Sequence, residues 1–158
     1  MRTITSVADA VSARGETLGV SRWVTVDQAR IDGFADVTDD HQWIHVDTER
    51  AATESPYGAT IAHGFLTLSL IPSLSKDNYQ VDNRKMGINY GLNRVRFLSP
   101  VTPGSRIRVR SELVEVDPVD EVTVNLTVRH TVELDGADKP ALVADLISRN
   151  IFNTPQLP

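Results

Sequence analysis

The sequence predicts an α+β fold in which a curled antiparallel sheet covers one long central helix. Residues 61–74 form a near-continuous apolar run, and a helix that is apolar on every side is buried on every side. From residue 88 onwards, apolar and polar residues alternate in segments separated by turn residues, the pattern of successive antiparallel strands. Because the central helix needs a cover, we expect the sheet to supply it.

The N-terminal part of the chain predicts two helices with an extended segment between them. Ser6 is placed to cap a first helical turn, which Gly15 ends, and residues 16–24 look extended. Thr25 and Gln28 form a capping-box pattern, which predicts the start of a second helix with one apolar face.

The second helix is predicted to stop near Thr38 and to be followed by a loop over residues 39–46. Asp47 can then cap a short helix that continues to Ala52. A Pro-Tyr-Gly sequence follows and breaks that helix before the apolar run begins.

The central helix is predicted to begin near His63-Gly64 and to kink or end near Pro72, because proline removes a hydrogen bond from a helix interior. Residues 75–85 are polar and predict a loop. The alternation slips by one residue in the strand that follows, which predicts a bulge at Gly91 or Asn93. Further turns are predicted at residues 100–104, 117–118 and 135–136. The last strand is predicted at residues 141–151.

Length and composition favour one domain over residues 1–158 and exclude several classes of function. The net charge is −5, so no nucleic-acid partner is predicted. There is no cysteine, which excludes disulfides and cysteine-based metal sites. No apolar run approaches the ~18 residues of a membrane span, and the N-terminus lacks the apolar segment of a signal peptide. We therefore expect a cytoplasmic protein without a membrane partner.

Asp40 and His45 form the first constellation that could carry chemistry. They are five residues apart across the predicted loop, and an acid beside an imidazole can divide a proton transfer between the two groups. The alternative is structural, since an acid at a helix end and a surface histidine produce the same spacing.

His63-Gly64, at the start of the central helix, forms the second constellation. The first N–H groups of a helix lack partners inside it and carry partial positive charge, and glycine allows a ligand to approach closely. This arrangement suits a carbonyl or phosphate oxygen. A glycine required only for tight packing fits the sequence equally well.

The remaining charged groups include residue types that could bind a metal ion or a phosphate. Zinc or iron would suit the residue types Asp40, His41, His45 and His63. Their spacing matches no established metal motif, so no metal is predicted. A phosphorylated tail could be held by Lys76, Arg84, Lys85, Arg94 and Arg96. The alternating arginines of residues 106–110 are more typical of the solvated face of a strand.

Residues 37–51, VTDDHQWIHVDTERA, resemble the signature of the MaoC-like (R)-specific enoyl-CoA hydratases, which contains an Asp and a His in this spacing. Residues 61–66, IAHGFL, are similar to the second element of that family, an apolar residue followed by His-Gly and Leu. Residues 95–104 are similar to its strand-and-turn segment. The resemblance extends over nearly the whole chain.

The resemblance implies the hot-dog fold, in which an antiparallel sheet wraps a long helix, and a homodimer. Members of the family add water to trans-2-enoyl-CoA and form (R)-3-hydroxyacyl-CoA in a reversible reaction. The implied substrate is therefore an acyl-CoA thioester. No separate cofactor is implied, because coenzyme A is part of the substrate.

By position in the family motifs, the catalytic acid falls on Asp40, the catalytic histidine on His45 and the oxyanion-binding N–H on Gly64. A supporting serine falls on Ser69. Further substrate contacts are expected from Gln42, His63, Arg84, Tyr90 and Arg94. Gln42 and Trp43 replace the Asn and Pro of the family pattern, which we expect to affect rate and substrate range.

Three other functions share this fold: a carrier-protein-linked 3-hydroxyacyl dehydratase, a thioesterase and a non-catalytic acyl-thioester-binding protein. Thioesterases usually place a carboxylate on the central helix, and residues 61–74 contain none. A binding protein would need neither Asp40 nor His45. A carrier-linked dehydratase differs only in the tail of its substrate, so it stays open.

Overall fold

A computed structural model describes residues 1–153, which contain five helices and eight strands. The elements that precede the central helix are β1 (Arg2–Ile4), α1 (Val7–Ser12), β2 (Thr17–Val20), β3 (Val24–Val26), α2 (Gln28–Thr38), α3 (Trp43–Val46) and α4 (Thr48–Glu54). The central helix and the strands after it are α5 (Gly64–Ser75), β4 (Tyr79–Val81), β5 (Arg84–Phe97), β6 (Ser105–Pro118), β7 (Thr123–Leu134) and β8 (Leu142–Phe152).

The main sheet has the strand order β2-β6-β7-β8-β5, and β3 pairs with β6 as well. Every pairing in this sheet is antiparallel, as the sequence predicts. β1 and β4 form a separate parallel pair. The register between β5 and β8 shifts between Asn89 and Gly91 and again between Asn93 and Arg96, which confirms the predicted bulge region.

The helix α5 packs against the sheet through a large apolar cluster. Leu66, Ile71 and Leu74 of α5 lie in this cluster with Val109 of β6 and Leu142 of β8. A second cluster joins α1, β1 and β2 to the other ends of the long strands; its members include Ile4, Ala10, Leu18, Leu113, Leu126 and Val128. None of the helices described within residues 1–153 is long and apolar enough to cross a membrane.

Of two local predictions about the N-terminal part, one is confirmed and one was wrong. Residues 16–24 are largely extended, as predicted, with β2 at Thr17–Val20 and the start of β3 at Val24. Between them, the backbone N–H of Ser21 donates to the carbonyl of Val109, and the Ser21 hydroxyl accepts the N–H of Val109. The cap of α2 is Asp27, not Thr25, because the Asp27 carboxylate accepts the N–H of Arg30 at 2.9 Å. A charged acceptor is favoured at the positive end of a helix.

Predictions near the central helix also need correction. The α5 helix continues to Ser75, three residues past Pro72, with the proline inside its last turn. The predicted loops at residues 39–46 and 75–85 contain the short elements α3 and β4. Elements of three or four residues are too short to show a hydrophobic period.

A buried polar network lies between the two apolar clusters. Asn78, Ser111 and His130 are at most 1% exposed. Nδ2 of Asn78 donates to Oγ of Ser111 at 2.7 Å and to the carbonyl of Val109 at 2.9 Å. Oγ of Ser111 lies 3.0 Å from Nδ1 of His130. Burial lowers the pKa of His130 from its ordinary value of 6.5 to about 4, so the imidazole is neutral at neutral pH.

We expect the free energy of unfolding to fall as the pH drops from 6.5 to about 4, because the unfolded chain then binds a proton at His130 that the folded chain does not. The folded pKa is below the unfolded pKa, so this contribution is present at neutral pH and is lost on acidification. The full shift corresponds to roughly 3 kcal/mol. Urea unfolding at several pH values in this window, on wild type and His130→Gln, measures it. If the free energy of unfolding changed equally with pH in both proteins, His130 would not be the group responsible for the loss of stability.

Candidate active site

Asp40, His45 and His63 converge between the end of α2, α3 and the start of α5. One ligand atom from each of the three side chains lies within 4.8 Å of the others. Asp39 follows the end of α2 with a left-handed φ of 57°, which redirects the chain immediately before Asp40. Aspartate tolerates this conformation better than most residues because its short polar side chain can bond locally.

His45 is held in one tautomer by a backbone carbonyl. Its Nδ1 lies 2.7 Å from the carbonyl oxygen of Ile61, which can only accept, so Nδ1 carries the proton. Nε2 therefore presents a lone pair. The His45 ring is half-buried and stacks on the ring of His63 with centroids 3.8 Å apart.

His63 positions the backbone of Asp40 at the base of this site. Its side chain is almost fully buried, with the ring of Phe34 5.0 Å away. Nε2 of His63 donates to the carbonyl of Asp40 at 2.9 Å and lies 3.9 Å from the Asp40 carboxylate. These contacts assign His63 a positioning role, and its predicted contact with substrate stays a prediction.

Gly64 is the first residue of α5 and directly follows His63. A Cβ atom at this position would lie 2.8 Å from the ring of Phe97, so no larger residue fits without a shift. The N–H of the first helical residue has no partner within the helix and carries partial positive charge. The start of α5 can therefore offer an N–H donor next to the His45–His63 stack.

The side chain of Gln28 holds the backbone of His45 through a hydrogen bond. The sequence predicts Gln28 only as part of a capping box. Its Nε2 donates to the carbonyl of His45 at 2.8 Å and to Asp32 at 2.7 Å, and its Oε1 accepts from the hydroxyl of Thr60. A sequence signal for this role exists, because Gln28 is three residues before Ile31 and so lies on the apolar face of α2. A polar residue on that face needs buried partners.

The other residues predicted to contact the substrate do not lie together in the structure. Ser69, Arg84 and Tyr90 line one cavity of about 890 Å³ between α5, β4, β5 and β8. Arg94 lines a second cavity of about 620 Å³, away from that group. Gln42 is exposed at the start of α3 and makes no capping bond with its side chain.

The donor set of Asp40, His45 and His63 fits a catalytic metal ion poorly. Nε2 of His63 carries a proton toward the Asp40 carbonyl, which removes this nitrogen as a ligand in the observed arrangement. Catalytic zinc usually has three protein ligands. His41 turns away and lies 2.9 Å from Asp36, whose hydrogen bond raises the pKa of the His41 imidazole.

Comparison with known proteins identifies the family of the chain. Residues 9–134 match the family model described as the MaoC like domain. A protein named 3-hydroxyacyl-thioester dehydratase Z, from Mycobacterium tuberculosis (strain ATCC 25618 / H37Rv), is 54% identical over 151 residues. This match covers 96% of the chain and 99% of the relative.

Solved structures share the fold over nearly the whole chain. The X-ray structure of a monoamine oxidase regulatory protein from Archaeoglobus has a TM-score of 0.80 and 30% identity, with 98% of each chain covered. An unliganded (R)-hydratase of Pseudomonas aeruginosa has a TM-score of 0.67 and 22% identity, with 97% of this chain and 93% of that chain covered. The architecture is the predicted hot-dog fold, and this chain belongs to the MaoC-like domain family.

Proposed function

We propose that this protein is a hydro-lyase that interconverts (R)-3-hydroxyacyl-CoA and trans-2-enoyl-CoA thioesters. The observation that carries the proposal is the meeting of the Asp40 carboxylate, the free Nε2 of His45 and the start of α5 at Gly64. The name of the Mycobacterium tuberculosis relative, a 3-hydroxyacyl-thioester dehydratase, supports the same reaction class.

In the hydration direction, a water molecule held by Asp40 and His45 adds its oxygen to C3 of the enoyl group. The electrons of the C2=C3 bond move to the thioester oxygen, and the Asp40–His45 pair takes the proton that the water loses. The fixed Nδ1–H of His45 leaves Nε2 as a proton acceptor and stabilises the imidazolium that forms.

The N–H of Gly64 donates to the thioester oxygen and stabilises the enolate. One such donor lowers the barrier by about 3–4 kcal/mol. The Asp40–His45 pair then returns a proton to C2, so that hydrogen and hydroxyl are added to the same face. Dehydration follows the same steps in reverse, with water leaving from C3.

An absorbance assay with crotonyl-CoA tests the proposal. We expect purified wild-type protein to remove the enoyl absorbance and to form the (R)-3-hydroxy product. No hydration of short or long enoyl-CoA thioesters would contradict the proposal. Release of a free thiol without loss of the double bond would indicate a thioesterase. If enoyl groups attached to a carrier protein were turned over faster than enoyl-CoA, the carrier protein would be the preferred substrate tail instead of coenzyme A.

We expect a chelator to leave the hydration rate unchanged, because the proton on His63 Nε2 leaves too few free ligands for a catalytic ion. The measurement compares the crotonyl-CoA rate before and after EDTA treatment and dialysis. A loss that zinc or iron restores would show that the three side chains rearrange around a metal.

We propose that the protein acts as a homodimer joined along β5. This strand ends the order of the main sheet, and its apolar side chains Met86, Ile88, Tyr90 and Leu92 are 44–55% exposed. An exposed apolar edge strand can pair with a second copy. Phe97 at the end of β5 borders Gly64, so pairing there would cover one wall of the proposed site.

Ile88→Arg is expected to convert the dimer to monomer and to reduce hydration activity, because it places a charge in the centre of the pairing surface. Sedimentation velocity and the crotonyl-CoA assay measure the two effects. Val119→Arg is the matched control, since Val119 is also half-exposed but lies in the turn after β6. A monomeric wild-type protein with full activity would contradict the dimer.

A further inference from the structure

The cavity of about 890 Å³ follows α5 from Leu68 to Lys76. It begins one helical turn after Gly64, where the thioester oxygen of the proposed substrate would bind. The rise from Leu68 to Lys76, the residue that follows α5, is about 12 Å, the length of an extended chain of about ten bonds. An acyl chain that runs along α5 from a substrate held at Gly64 would reach this cavity after about one helical turn.

The cavity is lined by both apolar and polar side chains. Leu68, Leu92 and Leu146 contribute to the walls. His130 is the cavity-lining residue of β7 within residues 1–153, and it is 1% exposed. Because Ser111 bonds to Nδ1 of His130, Nε2 is the ring nitrogen that remains for a ligand in the cavity.

The neighbours of His130 determine which nitrogen carries its proton. The Asn78 amide is oriented by the carbonyl of Val109, which can only accept, so Asn78 must direct its NH₂ group toward Ser111 as well. Oγ of Ser111 therefore accepts from Asn78, and its own hydroxyl proton is free to bond to Nδ1 of His130. The neutral imidazole then carries its proton on Nε2.

A buried N–H donor in a cavity discriminates between ligands. An acyl chain with an oxygen at the right position accepts the hydrogen bond, whereas a plain alkyl chain displaces water and leaves the donor unpaired. Enzyme sites built to hydrogen-bond a substrate group reject analogues that lack it. The position of His130 next to Ser111 and Asn78, just beyond the C-terminal end of α5, places this donor near the far end of the chain.

We infer that His130 is a specificity-determining residue whose Nε2–H binds an oxygen atom on the distal part of the acyl chain. The preferred substrates are then 3-hydroxyacyl thioesters whose chain carries a second, distal oxygen as a keto or hydroxyl group. This inference rests on the proposed dehydratase function and names its substrate class.

Pairs of enoyl-CoA thioesters of equal length test the inference by turnover. One member has an alkyl chain, and the other has a keto or hydroxyl oxygen at successive positions along the distal half. We expect wild type to show a kcat/KM ratio of roughly ten in favour of the best-placed oxygen. His130→Phe should bring this ratio to about one, and His130→Gln, which keeps an N–H donor, should retain part of it.

Controls separate specificity from a loss of structure. Thr131→Val changes the next residue of β7, which faces the other side of the sheet, and should leave the ratio as in wild type. The rate of Thr131→Val with crotonyl-CoA, which is too short to reach His130, should stay within about two-fold of wild type. Thermal unfolding identifies variants that do not fold.

Binding provides a readout that does not depend on turnover. The imidazole ¹⁵N signals of His130, assigned by comparison with His130→Gln, should show a neutral ring protonated on Nε2. Saturated acyl-CoA with the best-placed oxygen should shift the Nε2 signal, and the alkyl analogue should not. A ring protonated on Nδ1, or equal shifts with both ligands, would overturn the inference.

The two proposals fail in different ways. A wild-type protein that hydrates crotonyl-CoA but treats every pair of long substrates equally would overturn the role of His130 alone. A protein that hydrates no enoyl-CoA would overturn the proposed function, and the ¹⁵N titration would then decide the role of His130 in binding.

Discussion

His45→Gln is expected to lower kcat for enoyl-CoA hydration by roughly 100- to 10,000-fold, because an amide can replace the hydrogen bond to Ile61 but cannot accept a proton. Asp40→Asn should cause a loss in the same range, since the amide keeps the shape of the carboxylate and removes its charge. The double variant should lose little more than either single variant, because the two groups act on one water. Stopped-flow or steady-state kinetics with crotonyl-CoA measure kcat for all three variants.

Matched controls exist for both substitutions. His41→Gln alters a neighbouring histidine that lies against Asp36 and is exposed, and Asp36→Asn alters its partner. We expect both controls to keep the wild-type rate within about two-fold. If His41→Gln were as damaging as His45→Gln, the catalytic pair would be misassigned.

Gly64→Ala is expected to lower kcat by roughly 100-fold or more, the effect of removing an oxyanion donor. The added Cβ would lie 2.8 Å from the ring of Phe97, so the start of α5 or the ring must move. A shift at the first residue of α5 displaces its N–H from the position of the developing oxyanion, so the loss should appear in kcat more than in KM.

Gly33→Ala is the matched control, because Gly33 lies inside α2 and nothing lies within 4 Å of the position of its Cβ. This substitution should leave the rate unchanged and raise the free energy of unfolding by up to about 1 kcal/mol. Adding Phe97→Ala to Gly64→Ala removes the clash and should restore part of the rate. Full activity of Gly64→Ala alone would show that the Gly64 N–H is not the oxyanion donor.

Much of the fold could be predicted because its large elements have strong periods. The apolar run of residues 61–74 and the alternation in β5 to β8 follow directly from side-chain burial. The short strands β1 and β4 were missed, since each has three residues and is stabilised by a partner far away in the chain. The cap of α2 was misplaced because Thr25 and Asp27 both satisfy cap chemistry, and the path of the chain decides between them.

The site could be predicted in part. Motif spacing predicts Asp40, His45 and Gly64 as site residues, and the structure brings Asp40 and His45 together beside the start of α5. Their catalytic roles stay predictions. The sequence places Gln28 as a polar residue on the apolar face of α2, but its partner, the backbone of His45, was missed because that contact depends on how α2 and α3 pack.

The sequence by itself determined the fold class, the family and the chemical types at the site, because burial periodicity and motif spacing are local properties of the chain. Only the tertiary structure decided the tautomer of His45, the positioning role of His63 and the place of His130 in the cavity. Each of these depends on a hydrogen bond or a contact between residues far apart in sequence, such as His45 with the carbonyl of Ile61. Such contacts exist only after the sheet register and the helix packing are established.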